Sequence, residues 1–182
     1  MADKSKNFAS RAGEKLAYAL SQFNIDVKDF VCADLGCSTG GFTSCLLASG
    51  AKKVYAVDTG YGVLDWKLRN DPRVVVKERT NALHVVFDEL IDLVTIDVGW
   101  TPQSLILPHA KKIIKPTGKI ISLLKPQYES KNAHLTPEQA ESVAKNVVDK
   151  LKNQGIEIQK YIKSPITGEK ASNTEFLMLY SN

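Results

Sequence analysis

The most constraining feature is the run Asp34-Leu35-Gly36-Cys37-Ser38-Thr39-Gly40-Gly41-Phe42. A short apolar stretch over 30–35 enters it, and an apolar stretch with helical character over 42–48 leaves it. Glycines and hydroxyls this dense mark a tight crossing from a buried strand into a helix. Glycines at such a crossing let the backbone come close to a ligand, and Ser38 and Thr39 are small donors beside it. The alternative is a turn that needs glycine for its own geometry. In a doubly wound sheet, ligands bind outside the carboxyl ends of the strands, and this turn falls there. It is neither a G-x-G-x-x-G fingerprint nor a phosphate loop with G-K-[ST], which disfavours a dinucleotide or a nucleoside triphosphate.

The rest of the chain continues the alternation. Leu16, Leu20 and Phe23 repeat at helical spacing behind Ser10, a candidate cap, and predict a helix over 11–23. Strands are expected over 53–58, 74–77, 93–97 and 119–124, with a helix over 102–114 that has Pro near its start. Thr136, Pro137 and Gln139 form a capping box, and Ala140, Val143, Ala144, Val147, Val148 and Leu151 a buried stripe that ends at Gly155. Two closing strands are expected over 156–161 and 175–180, joined by a loop over 165–173. Strands alternating with helices imply a mostly parallel sheet with covered faces, and a closing hairpin would make its edge antiparallel. The fold expected is a doubly wound α/β sandwich.

Composition narrows the function classes. The 182 residues suit one domain, expected over 1–182 with a leading helical segment over 1–28 and a core over 29–182. No apolar run is long enough to span a bilayer as a helix, and the polar first residues carry no secretory signal, so a cytoplasmic location is expected. The three cysteines, Cys32, Cys37 and Cys45, match no common zinc spacing and read as reduced thiols. The net charge of +4 is mild but uneven, with twelve lysines against six acids over 111–170. That surplus suits a phosphate-rich partner or, equally simply, solvated helix faces.

Further candidates gather at the expected strand ends. Asp58 ends the second strand, where an acid accepts hydrogen bonds from ribose hydroxyls; capping a following helix is the alternative. Thr80 and Asn81 follow the third strand, and the Asn81 amide is placed either to read an adenine edge or to cap a helix. Asp97 and Lys125 end the fourth and fifth strands, and Glu175 opens the last one. With Lys15 from the leading helix they make two lysines and two carboxylates, either a reactive group or a structural ion-pair set.

These residues fall in motifs that resemble a known family. Ser10-Arg11-x-Gly13-x-Lys15-Leu16, the 34–43 turn, Val57-Asp58-x-Gly60-Tyr61-Gly62, Glu78-Arg79-Thr80-Asn81 and Lys125-Pro126-Gln127-Tyr128-Glu129 resemble the TlyA (hemolysin A-like) group of FtsJ-like RNA methyltransferases. The resemblance implies a Rossmann-like class I methyltransferase sandwich: a seven-stranded, mostly parallel sheet with an antiparallel last strand. It also implies S-adenosylmethionine (SAM) as cofactor and 2′-O-methylation of ribosomal RNA at cytidine. The family's Lys-Asp-Lys-Glu tetrad carries over to Lys15, Asp97, Lys125 and Glu175. Asp34, Gly36, Ser38, Thr39, Gly40, Gly41, Phe42, Asp58, Thr80, Asn81 and Asp97 are the expected cofactor contacts, and Arg11 and Trp100 the expected RNA contacts.

The sequence also departs from the family pattern. Longer members begin with a small S4 RNA-binding domain that is not recognised in this chain, so RNA recruitment is expected to fall to other surfaces or to a separate protein. Asp97-Val98-Gly99-Trp100 stands where the family has Asp-x-Ser-Phe, and Trp100 is placed either to stack on an extruded base or to pack as a rim residue. The rival readings are a non-catalytic RNA-binding or ribosome-assembly factor and a methyltransferase with a non-RNA substrate. No segment resembles a membrane-lytic one.

Overall fold

The computed structural model describes residues 8–168 and 173–181, so residues 1–7 of the leading segment and 169–172 of the closing loop lie outside the described residues. The elements in chain order are α1 (Ala12–Gln22), β1 (Val31–Leu35), α2 (Gly41–Ala48), β2 (Lys53–Val57), α3 (Trp66–Arg69), β3 (Val74–Lys77) and β4 (Ile91–Ile96). They continue as α4 (Gln103–Ile113), β5 (Ile114–Leu124), α5 (Pro126–Ser130), α6 (Pro137–Asn153), β6 (Lys160–Lys163) and β7 (Phe176–Ser181). Seven strands form one sheet in the order β3-β2-β1-β4-β5-β7-β6. Every pairing from β3 to β5 is parallel, and β7 is antiparallel to both its neighbours.

Strand periodicity sorts the core into two layers. On β7, Phe176, Met178 and Tyr180 join the layer that contains Ile106 and Ala110 of α4 and Ala144 and Leu151 of α6. Leu177 and Leu179 point the other way, into the layer with Leu16 and Leu20 of α1 and Phe42 and Leu46 of α2. Successive side chains on a strand face opposite sides, so a strand that must fill both layers is apolar throughout. All five residues of β1 are buried for this reason.

The ends of the elements show what local chemistry can decide. The capping box on α6 forms: Thr136 Oγ1 accepts from Gln139 N at 3.3 Å, and Gln139 Oε1 accepts from Thr136 N at 2.9 Å. Ser10 does not cap α1. Arg11 occupies that position with no side-chain cap, and the Ser10 hydroxyl lies where a side chain on Gly41 would be. Gly41 thereby lets the first turns of α1 and α2 pack closely, while Gly13 makes room for the Phe8 side chain.

The sheet's far side keeps the expected pairing and departs from the sequence expectation only in the bounds of a strand. The last strand is antiparallel and the edge is an antiparallel hairpin, as expected: β7 lies between β5 and β6, and β6 forms the edge. The strand expected over 156–161 is displaced to Lys160–Lys163, because Ile156 is used to close α6 and Ile158 packs into the core beside it. The short helices α3 and α5 were not anticipated, being too brief to show a hydrophobic period. Among the described residues, no helix is long and apolar enough to cross a membrane.

Candidate active site

Strand order reverses direction between β1 and β4, which makes their carboxyl ends the switch point of the sheet. Gly36 leaves β1 at that point with φ +85°, and a Cβ there would stand 2.7 Å from the Asp97 carbonyl oxygen. Only glycine fits so close to the neighbouring strand's backbone. The turn is then fastened by main-chain bonds. Gly36 N and Cys37 N both donate to Val57 O, at 2.9 and 3.0 Å, and Asp97 N donates to Leu35 O at 3.0 Å.

Asp58 ties the turn to the next loop. One carboxylate oxygen accepts from Ser38 N at 2.9 Å, the other from Gly60 N at 2.8 Å. Each oxygen keeps a second acceptor site, and the carboxylate is partly exposed. Ser38 and Thr39 are exposed beside it. Thr80 N donates to Asp58 O at 2.9 Å, bringing the segment after β3 to the same rim. Asn81 opens a turn, not a helix: its Oδ1 accepts from Leu83 N at 2.9 Å.

Two residues expected at the cofactor have their side chains in the interior. Phe42 is 2% exposed and fills the layer under α1 and α2, as an aromatic ring on the inner face of a helix must. Asp34 is fully buried, with Thr43 Oγ1 donating to one oxygen at 2.7 Å and Thr95 Oγ1 to the other at 3.2 Å. Burial pushes its carboxyl up to about 7, against the pull of the Thr43 hydroxyl. Neither side chain faces the crevice; both hold the turn from below. The two threonines escaped the sequence reading because Thr95 meets Asp34 only through the pairing of β1 with β4.

The two lysines and two carboxylates do come together. Lys15 Nζ lies 2.5 Å from Glu175 Oε2, with both side chains nearly sealed from solvent. Lys125 Nζ lies 2.5 Å from Asp97 Oδ1, a pair that is somewhat more open. Burial pulls Lys125 down, but Asp97, then Glu175 and Tyr128, outweigh it and hold the ammonium above the ordinary lysine value. The Glu175 charge therefore acts on both lysines.

Beside Lys125 an aromatic wall rises to the surface. The Tyr128 ring is 5.7 Å from Lys125 Nζ, and the Trp100 ring is 4.9 Å from that of Tyr128, tilted by 46°. Trp100 is 87% exposed. Arg11 is also exposed, at the head of α1. Tyr128 was missed as a site residue. It lies within the 125–129 motif, but only the helical turn of α5 aims its ring at Trp100.

A sheet in this order, with its penultimate strand antiparallel and a glycine turn at the switch point, is the Rossmann-like methyltransferase sandwich. The chain belongs to the FtsJ-like methyltransferase family, whose model matches residues 8–181. YqxC of Bacillus subtilis, named a candidate rRNA methyltransferase, is 40% identical over 182 residues, covering 94% of this chain and 64% of that protein. The Mycobacterium tuberculosis 16S/23S rRNA (cytidine-2′-O)-methyltransferase TlyA is 42% identical over 138 residues, covering 74% of this chain and 52% of that protein. The chain thus spans about half to two thirds of the length of these curated relatives. A solved structure of a candidate hemolysin from Streptococcus thermophilus matches with a TM-score of 0.89 at 35% identity, covering 98% of this chain and 68% of that one.

Proposed function

We propose that this chain is a SAM-dependent methyltransferase that methylates a ribose 2′-hydroxyl of ribosomal RNA, at cytidine. The observation that carries the reading is the convergence of the Lys15–Glu175 and Lys125–Asp97 pairs, with Glu175 also acting on Lys125 and the Asp97 main chain abutting Gly36 of the glycine turn. The names of the relatives support the same reaction and substrate.

The turn fits the cofactor, since Gly36 keeps the backbone free of a Cβ and Asp58 retains acceptor sites suited to ribose hydroxyls. Ser38, Thr39 and Gly40 would line the bound group, with Asp97, Thr80 and Asn81 at its rim. Asp34, Gly41 and Phe42 contribute by holding that backbone in shape. SAM supplies, when bound, a methyl group on a sulfonium whose departure leaves a neutral thioether.

The acceptor side has to present a 2′-oxygen in line with that methyl. Lys125, held as an ammonium, orients the oxygen by donating to one of its lone pairs. Asp97 fixes Lys125 and offers a nearby carboxylate for the hydroxyl proton, which becomes strongly acidic as the O–C bond forms. Lys15 and Glu175 set the field around them. Because a sulfonium methyl is already activated, correct placement supplies much of the rate, and positioning of this kind is worth about 7–11 kcal/mol in favourable systems. Trp100 stacks on the extruded target base, and Arg11 meets the RNA backbone.

The test is transfer of labelled methyl from SAM to small and large ribosomal subunits, with naked RNA, protein and small-molecule controls, followed by digestion to nucleosides. Label in 2′-O-methylcytidine that vanishes with Lys125→Ala supports the proposal. Label in protein or a small molecule, or none in any substrate while SAM still binds, overturns it.

A further inference from the structure

The loop after β4 and the corner after β5 are both needed for the proposed reaction, yet they belong to chain segments almost thirty positions apart. They are joined at three levels. At the base is the Asp97–Lys125 ion pair, and at the mouth the Trp100–Tyr128 ring contact. At the back, Glu129 Oε1 accepts a hydrogen bond from Gln103 N at 2.7 Å.

The last of these follows from a defect in local sequence. Gln103 opens α4, and the residue at its N-cap is Pro102, which has no side-chain oxygen to offer the free N–H groups of the first turn. A carboxylate from α5 takes that place, at the positive end of the α4 dipole. Gln103 is then committed on its other side as well. Its Nε2 donates to Leu123 O at 3.2 Å, and its Oε1 accepts from Ser122 Oγ at 2.6 Å. Gln103 and Ser122 are 3% and 1% exposed, so water does not substitute for these bonds. Lys125 itself is the N-cap of α5, and Tyr128 N donates to Lys125 O at 3.0 Å. The five residues 125–129 therefore carry the reactive lysine, an aromatic wall residue and the tie to α4 on one rigid turn.

We infer that Glu129 is a positioning residue for methyl transfer: its bond to the first turn of α4 holds the 97–103 loop, and with it Asp97 and Trp100, in register with Lys125 and Tyr128. This rests on the proposed RNA methyltransfer for its kinetic consequence, but not for its geometric one. Glu129 touches neither the cofactor turn nor the cleft, so its loss acts on the acceptor side. Misplacement of reacting groups by about 1 Å costs roughly a hundredfold in rate.

The experiment compares Glu129→Ala and Glu129→Gln in the full chain, the second of which keeps an acceptor oxygen for Gln103 N–H. Expected for Glu129→Ala is a fall of about ten- to a hundredfold in kcat/KM for RNA. SAM affinity should stay within about twofold of wild type, because the 36–40 turn is untouched, and Glu129→Gln should restore most of the loss. Trp100 is read separately by fluorescence anisotropy in a Trp66→Phe background, where it is the single tryptophan. Its anisotropy should drop in Glu129→Ala and recover in Glu129→Gln. Unchanged anisotropy in Glu129→Ala overturns the inference whether or not the chain methylates RNA. So does a loss of transfer that merely tracks lost SAM binding and lost folded fraction. A wild-type chain that transfers no methyl, with the anisotropy changes as expected, overturns the proposed reaction and leaves the clamp standing.

Discussion

The two halves of the sheet's carboxyl edge are built from different materials. Over β1, β2 and β3 the edge is largely main chain: glycines at positive φ, N–H groups donated to strand carbonyls, and two carboxylates gripping loop N–H groups, Asp58 those of Ser38 and Gly60 and Glu78, which also pairs with Arg69, that of Val63. Over β4, β5 and β7 it is side chain, with two lysine–carboxylate pairs and an exposed aromatic wall. A backbone shelf has little freedom to lose and holds its shape without a ligand. Long ionic side chains are set by one another's charge, so each depends on its neighbours. The first half suits a constant small cofactor, the second a polymer that has to be gripped and released.

Substitutions should respect this division, and the largest effect is expected on the side-chain half. Lys125→Ala should lower methyl transfer by about 10²–10⁴-fold while leaving SAM affinity nearly unchanged, as isothermal titration beside single-turnover assays would show. A matching loss of SAM affinity would mean that the halves are not separable.

Gly36→Ala attacks the backbone half. A Cβ 2.7 Å from the Asp97 carbonyl, on a residue at φ +85°, forces the turn away from β4. SAM binding should be lost, and stability should fall by about 1–3 kcal/mol in urea denaturation. Normal SAM affinity in this variant would show that the turn does not hold the cofactor.

Trp100→Ala should cost about 1–3 kcal/mol of RNA affinity and nothing in SAM affinity, measured by filter binding and titration side by side. Equal losses in both would remove the stacking role.

Asp34 sharpens the comparison from underneath. Its carboxyl rises from an ordinary 3.8 to about 7 on folding, so between those values the folded chain holds a proton that the unfolded chain has released. That contribution to stability is complete below pH 3.8 and is lost as pH rises towards 7, by a few kcal/mol in all. Asp34→Asn should flatten this slope, gaining stability relative to wild type between about pH 5 and pH 8 in denaturation curves. A parallel pair of pH profiles would show that Asp34 is ionised throughout.

The smallest effect is expected from pH on transfer itself. With Asp97 and Glu175 holding Lys125 as an ammonium, the single-turnover rate should stay flat from about pH 7 to pH 9. A tenfold rise per pH unit would instead make neutral Lys125 the base.

The division also explains what could be read in advance. The backbone half was legible because glycine, small hydroxyls and a strand-ending acid leave a contiguous signature over 34–42 and at Asp58. The α6 cap was legible for the same reason, as both hydrogen bonds lie within four residues. Asp97, Lys125 and Glu175 could be grouped as strand ends, with Asp97 beside Lys125 if the fourth and fifth strands pair, but Lys15 on the leading helix could not be placed. Lys125 meets Asp97 because β4 pairs with β5, whereas the meeting of Lys15 with Glu175 depends on α1 lying along α2 and on β7 entering beside β5. The sequence expectation of an antiparallel closing hairpin at the edge holds, but it left open which of the two strands is outermost. The insertion of β7 inside β6 is decided by which strand can fill both core layers, and β7 is buried along its length whereas β6 is largely exposed.

Sequence alone determined the alternation of strands and helices and the glycine turn, because these rest on local conformation and on hydrophobic period; the resemblance to the family marked the four ionisable residues. Tertiary structure alone decided the partners: Thr43 and Thr95 on Asp34, Glu129 on the uncapped end of α4, Tyr128 against Trp100, and the charge state of Lys125. Each of these depends on burial and on distances of a few ångströms between segments far apart in the chain, which only packing sets.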